Sequence, residues 1–143
     1  MAFRFPAGFS YLSFRGTDST IVGWKEDFNM SFLDTVPAQQ AALDYLTAWV
    51  THSPGPVIMG GHSKGGNLAV YAAALASPTV RDRVKAVYNN DGPGFTKKVL
   101  TAPGYLELIP RIHSFVPQSS VVGMLLEHED PYTVIKSRQL GIF

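Results

Sequence analysis

The feature that most constrains this chain is a serine set among glycines, in the turn predicted over residues 60–66. A short, continuously apolar run at residues 57–59 precedes the turn, and a segment rich in alanine, leucine and valine at residues 67–76 follows it. Continuous apolar runs of this length are typical of strands that are covered on both faces of a parallel sheet. The sequence therefore predicts a buried strand, a turn that carries Ser63, and a buried helix.

A Gly-x-Ser-x-Gly sequence between a strand and a helix is the nucleophile-elbow pattern. The serine lies on a strained turn, and Gly61 and Gly65 lack the Cβ atoms that would clash there. The N–H groups at the start of the helix point toward any oxyanion that forms beside Ser63. A phosphate-binding loop is excluded because Lys64 is followed by glycine, and Gly66 excludes a Ser-x-x-Lys arrangement. The remaining alternative is a glycine-rich strand-to-helix turn that serves packing alone and carries no catalytic serine.

Strands and helices alternate along the rest of the chain. Strands are predicted over residues 9–14, 57–59, 85–90, 111–116 and 132–136. Helices are predicted over residues 37–52, 67–76, 96–100, 105–109 and 119–127, and residues 17–36 are expected to form a long loop. The first helix has apolar residues at helical spacing, predicted as a buried stripe: Ala42, Tyr45, Leu46, Trp49 and Val50. This alternation predicts an α/β fold, with a mostly parallel sheet and helices on both faces, in one domain over residues 1–143.

Charge and composition exclude several classes of function. The chain has 12 lysines and arginines against 11 acidic residues, with no basic run, so it carries no electrostatic footprint for nucleic acid. It has no cysteine, which excludes disulfides, thiolate metal sites and cysteine nucleophiles and is compatible with a cytoplasmic location. The N-terminus lacks a basic head followed by an unbroken apolar run, and no 18-residue apolar stretch occurs, so neither a signal peptide nor a transmembrane segment is expected. Oligomeric state leaves no signal in the sequence.

Several segments resemble known hydrolases. The sequence GGHSKGGNLAVYAAA resembles the GHSLGG-A segment of class 3 lipases. The sequence SFRGT, followed by Trp24 and Asp27, is similar to the FRG-[ST]…W…D segment of the same lipases. Four segments together resemble most closely a bacterial branch of these hydrolases, the Mbeg-like family: FRGTDSTIVGWKEDFNMSF, GGHSKGGNLAVYAA, VYNNDGPGF and FVPQSSVVGMLLEH. This resemblance covers most of the chain from Tyr11 onward and implies an α/β-hydrolase core.

The resemblance to class 3 lipases also implies an oxyanion hole. Thr17 occupies the position at which those lipases donate a backbone N–H and a hydroxyl. Lys64, which follows the serine, would provide the second backbone N–H. Two such donors meet the electrostatic requirement of acyl transfer. Asp27 would be a carboxylate that holds the oxyanion loop. Taken without the resemblance, the sequence indicates only an ordinary turn residue at Thr17 and a surface acid at Asp27.

A catalytic serine needs a base and an acid that orients it, in the chain order serine, acid, histidine. Class 3 lipases carry the acid after the strand predicted here at residues 111–116, where this chain has no carboxylate. Asp91 is the best substitute because it follows the preceding strand, although Asn90-Asp91-Gly92 also suits a plain turn. His62 is too close to Ser63 in the chain, and His113 within a strand suggests a packed core histidine.

His128 is the candidate base within the chain, because it lies in a predicted loop after Asp91. In related hydrolases, however, the base follows the last strand, and no histidine follows residues 132–136. We therefore expect a hydrolase core that is truncated at both ends, in which the base is either His128 or a histidine beyond Phe143. His52 is expected at the end of a helix.

The leading hypothesis is a lipase- or esterase-type serine hydrolase that forms an acyl-enzyme on Ser63, with a small-molecule or lipid ester as substrate. Two alternatives remain: a non-catalytic hydrolase-fold module for binding or scaffolding, and an acyltransferase or thioesterase that uses the same serine.

Neither a cofactor nor a metal is predicted, because the polar residues 127–130 lack His–x₃–His spacing. The aromatic residues Trp24, Phe28, Phe32 and Tyr132 suit either an acyl pocket or the core.

Overall fold

Within residues 1–15, 36–118 and 131–136, which the computed structural model describes, six strands form one sheet in the order β1-β2-β3-β4-β5-β6. The strands are β1 (Ala2–Arg4), β2 (Ser10–Phe14), β3 (Val57–His62), β4 (Val84–Asn90), β5 (Ile112–Pro117) and β6 (Tyr132–Ile135). Strand β1 pairs antiparallel with β2, and the other neighbouring pairs are parallel. The predicted α/β class, with a mostly parallel sheet, is confirmed.

Helices connect the parallel strands. They are α1 (Pro37–His52), α2 (Lys64–Leu75), α3 (Pro78–Arg83), α4 (Lys97–Leu100) and α5 (Pro103–Leu108), with a short 3₁₀ turn at Ile109–Arg111. Helix α1 links β2 to β3, and α2 and α3 link β3 to β4. Among the described helices, none is both long and apolar enough to cross a membrane.

Helix α2 is the centre of the helical layer. It packs against β2, β3 and β4, with α1 on one side and α5 on the other. Strand side chains that face it, such as Leu12, Met59 and Val87, are buried, whereas Tyr11 and Tyr88 on the opposite face are only half-buried. Because the strands follow one another in chain order, right-handed crossovers place their helices on one face. The prediction of helices on both faces is therefore not met in the described part of the chain.

The buried surface of α1 is narrower than the sequence predicts. Its residues Ala42, Leu46 and Val50 are buried, as the helical spacing indicates. Tyr45 is exposed instead, and its ring meets the edge of Phe14 at a centroid distance of 6.2 Å. A ring at the margin of the apolar face packs on one side only, so helical spacing overestimates its burial.

The turn before α2 is shorter than predicted, because β3 continues through the glycines to His62. A Cβ on Gly60 would overlap the Tyr11 hydroxyl on β2, and it would lie 3.1 Å from the Tyr88 Cβ on β4. The glycine therefore allows large side chains on the two neighbouring strands to approach the backbone of β3. The sequence predicts a turn at residues 60–62 because glycine is usually a turn former.

Candidate functional site

Ser63 is the single residue between β3 and α2. Its backbone has φ 55° and ψ −126°, a conformation that non-glycine residues rarely adopt. The Ser63 N–H donates to the Asn90 carbonyl at 2.8 Å, and the Ser63 carbonyl accepts from the N–H groups of Gly66 at 2.9 Å and Asn67 at 3.3 Å. Such strain costs about 1–3 kcal/mol and persists only where the surroundings enforce it. The sequence correctly predicted Ser63 at a strained strand-to-helix turn.

The glycines on both sides of Ser63 allow three backbone segments to meet. A Cβ on Gly65 would overlap the Phe14 carbonyl oxygen at the end of β2 and would lie 2.9 Å from the Arg15 carbonyl carbon. A Cβ on Gly61 would overlap the backbone of Gly65 itself. The end of β2 therefore lies directly against the start of α2. This close approach is the physical reason for the glycine pattern.

Asp91 directly follows β4, the strand next to β3, and is 2% exposed. Its φ is 58°, and its N–H donates to the Phe115 carbonyl at 2.7 Å. Among the described residues, Ser63 and Asp91 are the non-glycine residues with positive φ. A Cβ on Gly92 would lie 3.0 Å from the Ser63 carbonyl oxygen, so the Asp91 loop packs against the serine turn. The structure thus brings Ser63 and Asp91 to the same edge of the sheet.

Lys64 is the first residue of α2 and is 8% exposed. Its amide lies at the helix N-terminus, where the backbone dipoles favour negative charge. This position suits the oxyanion role that the sequence predicted for its N–H. Three other predicted site residues, Thr17, Asp27 and His128, lie outside the described residues, as do Trp24, Phe28 and Phe32.

The described histidines lie at three separate places. His52 ends α1, as expected, and His62 ends β3; both are exposed. His113 in β5 is also exposed, and its ring stacks on Tyr88 at a centroid distance of 5.0 Å. The expectation of a packed core histidine at His113 is therefore wrong. The alternation of β5 points His113 to the sheet face that the described helices leave uncovered.

A set of buried amides, which the sequence did not predict, surrounds the Asp91 loop. Asn67 of α2 is fully buried, and its Nδ2 donates to the carbonyls of Pro93 at 3.0 Å and Gly94 at 3.1 Å. Its Oδ1 accepts from Gln39 Nε2 of α1 at 2.9 Å. Asn89 of β4 accepts the N–H of Gly92 at 3.0 Å. The sequence signal was an asparagine in an alanine-rich helix, one turn after the serine.

A shallow apolar groove of about 280 Å³ lies beside the start of α2. Its walls come from the end of β2, the first turns of α1 and Leu68 of α2, and the residues that line it are Met1, Ser13, Phe14, Arg15, Ala38, Ala41, Ala42, Tyr45 and Leu68. Tyr132, a predicted acyl-pocket residue, lies elsewhere and is exposed in β6. In the described ranges, no group of three or more acidic, histidine or cysteine side chains is arranged to hold a metal ion.

Comparison with known proteins gives one family. The model of the family described as Mbeg1-like matches residues 1–143. The matched range contains the Ser63 turn and the Asp91 loop, together with Thr17 and His128. Among curated proteins, none matches the chain.

Proposed function

The chain belongs to the Mbeg1-like family, and from the geometry of its serine turn we propose that it is a serine hydrolase that cleaves carboxylic esters. One observation carries the proposal. Ser63 and Asp91 follow neighbouring parallel strands, and both hold positive φ. Backbone strain of this kind persists only where the surrounding structure enforces it, and it is concentrated at active sites and ligand-binding sites. Ligands of open α/β sheets also bind outside the carboxyl ends of the strands, where both residues lie.

The first chemical step belongs to Ser63, which is half-buried and therefore both held in place and accessible. Its Oγ forms a bond to the acyl carbon of the ester, and the carbonyl oxygen becomes an oxyanion. The Lys64 amide at the start of α2 donates to that oxyanion. The resemblance to class 3 lipases adds Thr17 as the second donor.

Asp91 supplies the acid of the proposed triad. A buried carboxylate orients the histidine base and stabilises the imidazolium that forms when the base takes the Ser63 proton. Asp91 meets the requirement for burial, and the backbone of its loop touches that of Ser63. His128 is the candidate base within the chain. The base passes the proton to the departing alkoxide, and water then hydrolyses the acyl-Ser63 ester by the same route in reverse.

The substrate class follows from the apolar groove. Phe14, Ala42 and Leu68 give it a mainly hydrocarbon surface, and Leu68 lies one helical turn after Lys64 on α2. An apolar acyl chain that lies in this groove would place its carbonyl near the start of α2. We therefore propose an ester with an apolar acyl group rather than a charged or sugar-like one.

A fluorophosphonate probe tests the proposal directly. The folded protein should be labelled at Ser63, as mapped by mass spectrometry of peptides, and should hydrolyse a short-chain p-nitrophenyl ester. Ser63→Ala should abolish labelling and lower kcat by about 1,000-fold or more. Ser77→Ala, which changes an exposed serine near the opposite end of α2, should retain both activities.

The same assay separates the alternatives. A folded protein that neither reacts with the probe nor turns over any ester would be a non-catalytic binding module, and the proposal would fail. Turnover of a thioester with a kcat/KM far above that of the matched oxygen ester would instead assign the serine to thioester chemistry.

A further inference from the structure

The loop that carries Asp91 is buried, which is unusual for a connection between elements. Residues 91–94 are all buried between β4 and the start of α2. Loops normally run over the surface because buried backbone N–H and C=O groups need hydrogen-bond partners. The Pro93 and Gly94 carbonyls receive two such bonds from a single side chain, the amide of Asn67.

Asn67 also fixes the serine turn, so one residue contacts both halves of the proposed site. Its backbone N–H donates to the Ser63 carbonyl at 3.3 Å. A Cβ on Gly92 would lie 2.8 Å from the Asn67 backbone nitrogen, so the loop packs directly on the first turn of α2. Contacts that converge on Asn67 therefore act together with the hydrogen bond from the Ser63 N–H to the Asn90 carbonyl in setting the separation of Asp91 from Ser63.

A second amide holds the Asn67 side chain in its orientation. Gln39 of α1 is 4% exposed and donates from Nε2 to Asn67 Oδ1 at 2.9 Å. Gln39 Oε1 in turn accepts the Val36 N–H at 3.1 Å, which fixes which end of the Gln39 amide is the donor. With Oδ1 occupied by a donor, the Asn67 Nδ2 must face the loop carbonyls.

We propose, on the premise of the serine-hydrolase function above, that Asn67 is a positioning residue that holds the Asp91 carboxylate at its working distance from Ser63, with Gln39 as its support. Neither amide contacts the substrate. The two side chains act through Asp91, so their loss displaces the acid without removing it. A displacement of about 1 Å in such a site lowers turnover by about 100-fold.

The test compares kcat and KM in the full chain. Asn67→Leu keeps the size of the side chain and removes its hydrogen bonds. We expect kcat to fall by about 10- to 100-fold with KM changed less than about threefold, since the apolar groove is untouched. Fluorophosphonate labelling of Ser63 should slow by the same factor. Gln39→Met should have a smaller effect in the same direction.

A double mutant separates positioning from general destabilisation. In the Asp91→Asn background, Asn67→Leu should lower kcat by an additional factor of less than about three, because the acid through which Asn67 acts is already lost. The matched control is Arg81→Met, which removes a buried hydrogen-bonded side chain near the opposite end of α2. This control should lower the melting temperature and leave kcat near the wild-type value.

Three results would overturn the assignment of Asn67. One is a folded Asn67→Leu protein with wild-type kcat, another is full additivity with Asp91→Asn, and the third is an equal loss of kcat in Arg81→Met. If Asn67→Leu does not fold, Gln39→Met decides by the same criteria. If the wild-type protein neither labels at Ser63 nor hydrolyses esters, the hydrolase function itself is wrong, which is a distinct result.

Discussion

Ser63 and Asp91 hold backbone conformations that most side chains avoid, and they do so for different reasons. Ser63 is fixed by the start of α2 and by its hydrogen bond to the Asn90 carbonyl. Asp91 is fixed by its hydrogen bond to Phe115 on β5. Aspartate and asparagine tolerate positive φ better than most residues, whereas serine has no such advantage. The strain at Ser63 is therefore the more informative of the two.

Asp91→Asn tests the acid. Asparagine has the same shape and accepts the positive φ, so the fold should be retained. The neutral amide cannot stabilise an imidazolium, and we expect kcat on a p-nitrophenyl ester to fall by about 100-fold or more. Asp82→Asn, at an exposed position in α3, is the control and should be neutral. Near-wild-type turnover by Asp91→Asn would show that a carboxylate other than Asp91 is the acid of the triad.

Gly65→Ala tests the close approach of β2 to α2. Alanine is the better helix former by about 1 kcal/mol, so an uncrowded position would gain stability. Here the new Cβ meets the Phe14 carbonyl, which is backbone and cannot rotate away. We expect a loss of about 2–3 kcal/mol in the free energy of unfolding, measured by denaturant titration.

Gly8→Ala is the comparison for Gly65→Ala. Gly8 has φ 92° with no atom within 4 Å of an added Cβ, so its substitution costs only backbone strain. That cost is about 1–2 kcal/mol. If Gly65→Ala were as stable as the wild-type protein, this result would contradict the close approach of the Phe14 carbonyl to Gly65.

At the scale of elements, the sequence predicted most of the described segments, including the four-residue helix α4 and strand β6, and missed β1 and α3. Strand β3 and helix α2 follow from an apolar run and an alanine-rich segment. Strand β1 has three residues, too few for any periodicity to appear. Helix α3 has six residues, and its signals were the capping Ser77 and the following Pro78.

The residues of the candidate site also fall into two groups, those that the sequence predicted and those that it did not. Local sequence around Ser63 and the strand end before Asp91 indicated both residues, because motif and strand position are local properties. The amides of Asn67 and Gln39 meet across 28 positions of the chain. A contact between two isolated polar residues on different helices leaves no periodic pattern, so only the folded structure reveals it.

The groove between α1 and α2 makes a prediction about specificity. Ala41 is exposed and lines the groove, so Ala41→Trp should fill it. We expect KM for longer p-nitrophenyl acyl esters to rise by about tenfold, with little change for the acetyl ester, since only the longer chains need the groove. Ala48→Trp, at an exposed position of α1 outside the groove, should affect neither. An equal effect on all chain lengths would exclude the groove as the acyl site.

At the scale of the whole molecule, the sheet has one face covered by the described helices and one that they leave bare. Tyr11, Tyr88 and His113 lie on the bare face, and Gly60 leaves room for the Tyr11 hydroxyl. Burial raises the pKa of Tyr11, and the nearby Tyr88 raises it further.

This raised pKa predicts how stability depends on alkaline pH. An unfolded tyrosine ionises near pH ~10, whereas folded Tyr11 keeps its proton to higher pH. The unfolded chain therefore binds fewer protons above that pH, and the free energy of unfolding falls as pH rises. Tyr11→Phe should make this fall less steep in denaturant titrations between pH 9 and about 11.

The order of the strands has a consequence for how the protein is made. The strands β1 and β2 pair antiparallel, and each described strand from β3 to β6 pairs parallel with the described strand before it, so the pairings join strands that are neighbours in the described chain. The sheet can therefore grow by one strand at a time as the chain leaves the ribosome. Pairing of β4 with β3 brings Ser63 and Asp91 to neighbouring strand ends, and the addition of β5 then supplies the Phe115 carbonyl that accepts the Asp91 N–H.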